Sequence, residues 1–173
     1  MNWIHTFTGK KFYPLDPDPT TIDIEDIAHA LSNLCRYGGH VRRFYSVAQH
    51  SCLVGGAVPE RHRAWGLMHD ATEAYLIDLP RPIKNELPDY KLAEKRLSYA
   101  IALRFNLPSL VEPKEVKEVD TRILRNEAEA LLPGGDSVWW RAIEPLPDVH
   151  IGEPWRPAVA KREFLRLFAS WVA

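Results

Sequence analysis

The sequence predicts an all-α fold, a single domain spanning residues 1–173 with about six helices and a loop-rich N-terminus. In successive segments, apolar residues recur at the i, i+3, i+4, i+7 spacing of a helix with one face against a core. Residues that cap helices precede several of these segments, and prolines and glycines separate them. A chain of 173 residues also has the length of one domain.

The N-terminal part, residues 1–22, is expected to be extended and rich in turns, because it carries one glycine and three prolines. We predict a short hairpin around Gly9. The first helix is predicted from Ile24 to Cys35, with Asp23 as its N-cap. A pair of glycines shortly after this segment favours a helix end there.

Two further helices are predicted before residue 80. Ser46 can cap a helix from Val47 to Ala57, and a third helix is predicted from Pro59 to Ile77. The chain should then leave helical geometry over residues 78–82, because two prolines at alternate positions cannot continue a helix.

Three more amphipathic segments complete the predicted helices: Tyr90–Phe105, Lys114–Leu131 and Val159–Val172. Between the last two, residues 133–157 form a proline-rich loop that also contains tryptophans. These can stack on a base, but we favour a place at the edge of the core or in a subunit contact: Trp139, Trp140 and Trp155.

The composition excludes several classes of protein. With a formal net charge of −1, the chain has no overall field that favours nucleic acid or an anionic membrane, so an anionic ligand would need a few placed cations. Cys35 and Cys52 are far apart and form no paired motif, which indicates a reducing compartment. Neither a long apolar run nor a signal-peptide pattern is present in the sequence. We therefore expect a cytoplasmic protein with no membrane partner.

The predicted third helix carries polar residues with possible chemistry. His69, Asp70 and Glu73 fall together on the side away from its apolar stripe. A solvated polar face is one interpretation of this grouping. The other is that the histidine and aspartate offer a metal two ligands, with the glutamate as a nearby base.

Ionisable residues also interrupt the apolar faces of two other predicted helices. His50 lies at the edge of the inner face of its helix, where a hydrogen-bonded core histidine is the ordinary explanation. Asp120 sits inside an apolar stripe, and an unpaired buried carboxylate costs several kcal/mol. It should therefore be protonated, paired with a cation or bound to a metal. Glu127 points near the same face and suits the same kind of pair.

Together these segments supply two imidazoles and two carboxylates: His50, His69, Asp70 and Asp120. Such a set suits a hexacoordinate first-row divalent ion with open positions for water and substrate. A closed structural zinc site would normally use cysteines instead.

The order His50, then His69-Asp70, then Asp120 resembles the signature of HD-domain metal-dependent phosphohydrolases, over roughly residues 20–125. Three stretches are similar to the 5′-deoxynucleotidase branch of this superfamily: residues 46–51, 69–73 and 78–84. The sequence also resembles the small phage-type deoxynucleoside triphosphohydrolases.

The resemblance implies a helical fold in which His50, His69, Asp70 and Asp120 bind the metal. It makes Glu73 the acid/base residue beside the reacting phosphate. The metal is not specified by these residues, and Co, Mn, Zn, Mg and Fe all remain open.

The resemblance further implies a substrate site. Arg36 and Lys84 match phosphate-binding residues, and Asp78 matches a residue near the sugar hydroxyl. Two positions depart from the pattern. Tyr37 stands where the deoxynucleotidases typically have tryptophan, which bears on discrimination against ribose. Gln49 replaces an acidic residue next to the first ligand, which bears on the choice of metal.

These observations predict a metal-dependent enzyme that releases phosphate from 2′-deoxynucleoside 5′-monophosphates. The alternatives are a deoxynucleoside triphosphate triphosphohydrolase that uses the same site and a non-catalytic metal or nucleotide sensor. A nucleic-acid module is disfavoured by the balanced charge. We expect a small-molecule nucleotide as the partner, and the apolar C-terminal helix and the tryptophans predict a homo-oligomer.

Overall fold

The computed structural model describes residues 2–172, which form eight α-helices and one two-stranded antiparallel sheet. The all-α fold class predicted from the sequence is confirmed. The strands are β1 (Ile4–His5) and β2 (Lys11–Phe12). The helices are α1 (Ile24–Asn33), α2 (Val47–Ala57), α3 (Arg63–Met68), α4 (Glu73–Leu76), α5 (Arg81–Asn85), α6 (Pro88–Arg104), α7 (Lys114–Leu131) and α8 (Pro157–Trp171).

The predicted hairpin is confirmed: β1 and β2 flank a turn in which Gly9 has φ of 83°. The turn is tied to α1, because the backbone N–H and the hydroxyl of Thr8 both donate to the carboxylate of Asp26, at 2.6 and 2.9 Å. Phe12 is buried and stacks on Tyr75 with ring centroids 4.1 Å apart. Phe12 therefore anchors the N-terminal part of the chain to the core.

Both predicted N-caps are confirmed. The Asp23 carboxylate accepts from the N–H of Glu25 at 2.9 Å, and the Ser46 hydroxyl accepts from the N–H of Gln49 at 3.1 Å. Each bond satisfies a backbone donor that the first turn of a helix leaves free. The bounds predicted for the helices that became α2 and α7 agree with the structure.

The core is centred on α2, which packs against α1, α3, α7 and α8. Its contact with α3 is close, because a Cβ added at Gly66 would lie only 2.8 Å from the Cα of Gly55. Glycine at these positions lets the two backbones approach. The approach also brings together the segments that carry His50 and His69.

The prediction of one continuous helix from Pro59 to Ile77 is wrong. The segment is divided into α3 and α4, with a turn over residues 69–72 between them. Here N–H groups bond three residues back, as from Ala71 to Met68 and from Glu73 to Asp70, both at 3.0 Å. The imidazole of His69 hydrogen-bonds to the carbonyl oxygen of Gly66. In a continuous α-helix this oxygen would accept from a backbone N–H.

The prediction that residues 78–82 leave helical geometry holds only for residues 78–80. Helix α5 begins at Arg81 and includes Pro82, which lies in the first turn, where a missing backbone N–H removes no helical bond. The division of the third predicted helix and the presence of α5 account for eight α-helices within residues 2–172 where about six were predicted.

None of the helices within residues 2–172 combines the length and apolarity that a membrane crossing requires.

Candidate metal centre and its cleft

The side chains of His50, His69, Asp70 and Asp120 converge on one point. Nε2 of His50 lies 3.3 Å from Nε2 of His69, and Oδ1 of Asp120 lies 3.3 and 3.8 Å from these two nitrogens. Oδ2 of Asp70 lies 3.2 Å from Nε2 of His69 and 3.6 Å from Nε2 of His50. The structure therefore brings together all four of the predicted metal ligands.

The hydrogen bonds made by the other ring nitrogens determine which atoms the two histidines present to this point. Nδ1 of His50 lies 2.7 Å from a carboxylate oxygen of Glu127, and Nδ1 of His69 lies 2.8 Å from the carbonyl oxygen of Gly66. Both partners are acceptors, so each Nδ1 carries a hydrogen and donates it. In the neutral rings each Nε2 is then left with a lone pair.

Two ring nitrogens thus lie 3.3 Å apart, and each of the two carboxylate oxygens lies 3.2 to 3.8 Å from both of them. Such an arrangement needs a positive charge among the acceptors, which a proton or a metal cation can provide. The two carboxylates carry a formal charge of −2, which one divalent ion would balance. Two imidazole nitrogens and two carboxylate oxygens are ligands that first-row divalent metals accept. The residues therefore fit a metal ion: ligand atoms of His50, His69 and Asp120 all lie within 4.8 Å of one another, and Asp70 adjoins this group through the two histidines.

Without a metal, the closeness of these imidazole and carboxylate groups shifts their pKa values. Burial lowers the pKa of His69, but the neighbouring carboxylates of Asp70 and Asp120 outweigh it and raise the pKa to about 9. Burial alone would raise the pKa of Asp70 and of Asp120. The two imidazoles hold both carboxyl pKa values well below the ordinary value instead.

Asp120 divides its two oxygens between different partners. Oδ1 faces the two histidines, whereas Oδ2 lies 2.8 Å from Nζ of Lys117 and 3.6 Å from Nη2 of Arg81. The ion pair considered for this residue from the sequence is present, and it leaves one oxygen for the metal centre. The sequence interpretation had not identified either cation.

Glu127 is the buried anchor of the centre. Its carboxylate accepts from Nε and Nη2 of Arg36 at 3.2 and 3.1 Å, from the Tyr37 hydroxyl at 2.9 Å and from Nδ1 of His50. Burial raises the pKa of Glu127, but Arg36 and His50 prevail and lower it to about 2. The inward pair expected here is confirmed. Its role in fixing the His50 tautomer was not predicted, although Glu127 lies two helical turns after Asp120.

Arg36 and Tyr37 reach Glu127 through an unusual backbone. Tyr37 lies in the left-handed region with φ of 57° and ψ of 28°, inside the 3₁₀ segment Arg36–Gly39. A non-glycine residue there costs on the order of 1 kcal/mol. The hydroxyl bond to Glu127 offsets that cost. Nη1 of Arg36 makes no contact with Glu127 and lies 3.6 Å from Oδ2 of Asp70.

Glu73 is buried and lacks the partners that Glu127 has. It is 6% exposed, and its Oε2 has no hydrogen-bond partner among residues 2–172. Burial and the nearby carboxylates of Asp70 and Asp78 raise its pKa well above the ordinary value. This environment excludes the interpretation of His69, Asp70 and Glu73 as a solvated face, since His69 is also buried at its side chain.

The candidate metal centre opens into a cleft of about 730 Å³. Two of the predicted ligands, Asp70 and Asp120, line it. The structure also brings to this cleft every other residue that the sequence assigned to catalysis or substrate: Arg36, Tyr37, Glu73, Asp78 and Lys84.

Lys84 makes an ion pair that the sequence did not indicate. Its Nζ lies 2.6 Å from Oε1 of Glu94 on α6, and the two side chains are about a quarter exposed. Burial lowers the pKa of Lys84, but Glu94 outweighs it, so the pKa is raised and the side chain stays charged. A positive charge is therefore held at this edge of the cleft.

Comparison with known proteins identifies relatives of this chain. Over 147 residues it is 42% identical to the uncharacterised protein YfdR of Escherichia coli, in an alignment that covers 85% of this chain and 82% of YfdR. Over 142 residues it is 37% identical to an uncharacterised protein of Rhodobacter capsulatus, with 75% and 72% of the two chains covered. No protein-family model matches the chain. Neither relative has a described activity, so the similarity shows kinship alone.

Proposed function

The chain belongs to the same family as the uncharacterised protein YfdR of Escherichia coli, and we propose that it is a metal-dependent phosphohydrolase of the HD-domain type. We further propose 2′-deoxynucleoside 5′-monophosphates as its substrates and phosphate as a product. The observation that carries the proposal is the set of four acceptor atoms from His50, His69, Asp70 and Asp120, which needs a positive charge among them and lies beside a cleft.

A divalent ion held by these four residues would supply activation of water and polarisation of a phosphoryl oxygen. The chain's own cations bind the substrate's phosphate. Nη1 of Arg36 is free of Glu127, and Lys84 is kept charged by Glu94. Both line the cleft, where they neutralise charge that grows as the ester bond breaks.

Glu73 acts as the general acid. Its carboxyl group lines the cleft, is buried and has an unpartnered oxygen within residues 2–172, so it is free to engage a substrate atom. A raised pKa keeps the proton on this group near neutral pH. The group donates that proton to the leaving 5′-oxygen of the nucleoside.

Asp78 and Tyr37 flank the place where the sugar binds. Both line the cleft, and burial raises the pKa of Asp78. The phenol of Tyr37 already donates to Glu127, so its ring rather than its hydroxyl meets the sugar. An aromatic wall of this kind disfavours the additional 2′-hydroxyl of a ribonucleotide.

A second candidate is hydrolysis of deoxynucleoside triphosphates to nucleoside and triphosphate. Two further cations that line the cleft favour it. Arg81 and Lys117 both approach Asp120, and each is more than half exposed at its side chain. A longer phosphate chain would engage both. A nucleoside monophosphate has no second or third phosphate for these two cations to bind.

The proposal is tested by incubating metal-loaded protein with dAMP and with dATP and identifying the released anion. Phosphate from dAMP supports the main proposal, and triphosphate from dATP alone supports the second candidate. No turnover of either nucleotide with the metal fully bound would favour a sensor.

The metal assignment has its own test. Asp120→Asn should lose the metal, measured by mass spectrometry of the purified protein, and hydrolysis should disappear with it. Glu118→Gln is the matched control, because Glu118 lies exposed on the same helix. An Asp120→Asn protein with full metal content and full rate would show that the ligand set is wrong.

A further inference from the structure

The residues of α7 that line the cleft change from charged to apolar along the helix. Lys117, Asp120 and Leu124 all line it and occupy positions i, i+3 and i+7, which is one stripe of a helix. Leu132, just after the helix, and Trp140 also line the cleft. The cleft therefore has a charged end at the metal centre and an apolar end beyond it.

The two ends are spaced for one small molecule. Four residues of α-helix separate Asp120 from Leu124, a rise of about 6 Å at 1.5 Å per residue. A ligand with a phosphate at the metal centre would therefore place its far end against the apolar wall. For a nucleotide, that far end is the base.

Trp140 is held in place by the fold. After α7 the chain turns back against the helix. The approach is so close that a Cβ added at Gly135 would lie 1.6 Å from the carbonyl oxygen of Ala128. Further along, Asn126 of α7 accepts from the N–H of Leu146 at 2.9 Å and donates to its carbonyl at 2.8 Å. The 3₁₀ segment that carries Trp140 lies between these two anchors.

We propose that Trp140 stacks on the base of the bound nucleotide and that Leu124 and Leu132 complete the base site. This inference rests on the proposed function for the identity of the ligand. Trp140 lies outside residues 20–125, the part of the chain that resembles HD-domain enzymes. Aromatic stacking accepts any base, so the site selects a nucleotide over a bare sugar phosphate without selecting one base.

The adjacent tryptophan provides a matched control. Trp139 is 83% exposed and does not line the cleft, whereas Trp140 is half-buried and does. The two residues share the same short segment, so Trp139→Ala controls for the loss of a tryptophan there, and melting temperatures report the packing that only Trp140 loses. A difference between them isolates contact with the ligand.

The experiment measures binding by titration calorimetry in the metal-loaded, full-length protein carrying Glu73→Gln, so that the ligand is hydrolysed too slowly to disturb the titration. The probes are dAMP and its base-free counterpart 2-deoxyribose 5-phosphate. Trp140→Ala should weaken dAMP binding by on the order of tenfold and leave the sugar phosphate nearly unchanged. Trp140→Phe should keep most of the affinity for dAMP, and Trp139→Ala should keep all of it.

The proposal is overturned if Trp140→Ala leaves dAMP binding unchanged, if it weakens both probes equally, or if the parent protein binds no dAMP. Melting temperatures of the variants identify a folding defect, and Trp140→Phe tests stacking where the alanine variant does not fold. Phosphate release is measured separately with Glu73 intact. Hydrolysis that does not depend on Trp140 refutes the base site alone, whereas Trp140-dependent binding without hydrolysis refutes the proposed function alone.

Discussion

Glu127 and Glu73 have the same side chain and are both buried, yet their surroundings give them opposite charge states. The Glu127 carboxylate receives hydrogen bonds from Arg36, Tyr37 and His50, and its pKa is lowered to about 2. Glu73 has two carboxylate neighbours and an oxygen with no hydrogen-bond partner among residues 2–172, and its pKa is raised well above the ordinary value.

Burial acts in the same direction on both glutamates, because it disfavours the charged form and raises the pKa. The hydrogen-bond partners of the two carboxyl groups decide the difference between their pKa values. Donors fixed around Glu127 replace the lost water, so it serves as a permanent anion that holds other groups in place. No such donors surround Oε2 of Glu73 within residues 2–172, so it keeps a proton that it can transfer.

The largest expected effect is on turnover. Glu73→Gln should lower the rate of phosphate release by about 10²–10⁴, the usual contribution of a general acid, with metal content unchanged. The rate of the unchanged protein should fall as pH rises through the raised pKa of Glu73, and Glu73→Gln should lack this decline. Stopped assays across pH with parallel metal analysis measure both.

Glu86→Gln serves as the control for this substitution, since Glu86 is exposed and makes no side-chain contact with the centre. A Glu73→Gln protein with the parent rate would remove the distinction drawn between the two glutamates.

The next effect is on stability. Glu127→Ala should lower the free energy of unfolding by about 3–5 kcal/mol, because Arg36 would be left as a buried charge without its partner. Urea unfolding of the metal-free protein measures this. Glu73→Ala should cost less, since it leaves no buried cation unpaired. Equal losses for the two alanine variants would contradict the comparison.

The metal-free protein should also show the effect of the crowded ligands. The pKa of His69 is raised to about 9 from 6.5, so its contribution is fully present below pH 6.5 and is lost as pH rises toward 9. We expect a loss of up to about 3 kcal/mol over this range in the metal-free protein. The metal-loaded protein should lack this loss.

The same ionisation predicts that metal uptake at pH 7.5 releases about one proton, because the metal displaces the proton from His69. Calorimetric titration in two buffers of different ionisation enthalpy measures the release. A binding enthalpy that is the same in both buffers would contradict the assignment of a proton to this residue.

The smallest effect concerns one of the three donors to Glu127. Tyr37→Phe should lower the free energy of unfolding by about 1.5 kcal/mol, since it removes a hydrogen bond to a charged group and leaves Arg36 and His50 in place. Urea unfolding measures this change too. Tyr13→Phe is a matched control on a partly exposed tyrosine.

Local sequence was enough to predict much of the fold. The caps at Asp23 and Ser46 and the apolar stripe of α7 depend on residues within a few turns of one another, so their bounds follow from short-range patterns. The break over residues 69–72 was not predictable in this way. At this break the imidazole of His69 bonds the Gly66 carbonyl, a side-chain contact that the apolar periodicity does not encode.

Some features of the candidate site were likewise predictable from the sequence, and others were not. Residue type and helical position singled out the four candidate ligands and suggested that Glu127 is paired, because a carboxylate in an apolar stripe needs a partner. The partners themselves lie far away in sequence, with Arg36 91 residues and His50 77 residues from Glu127. From the sequence alone, Trp139 and Trp140 were equal candidates for stacking on a base. Of the two, only Trp140 lines the cleft.

The sequence by itself determined that the fold is all-α, where α2 and α7 form and that Asp120 and Glu127 need partners, because periodicity and capping are local properties. Tertiary structure alone decided which donors surround each buried carboxylate. That choice separates Glu127 from Glu73 and divides the two oxygens of Asp120 between the two histidines and the cations of the cleft. The physical reason is that the charge of a buried group is set by neighbours within about 4 Å, which come from distant parts of the chain.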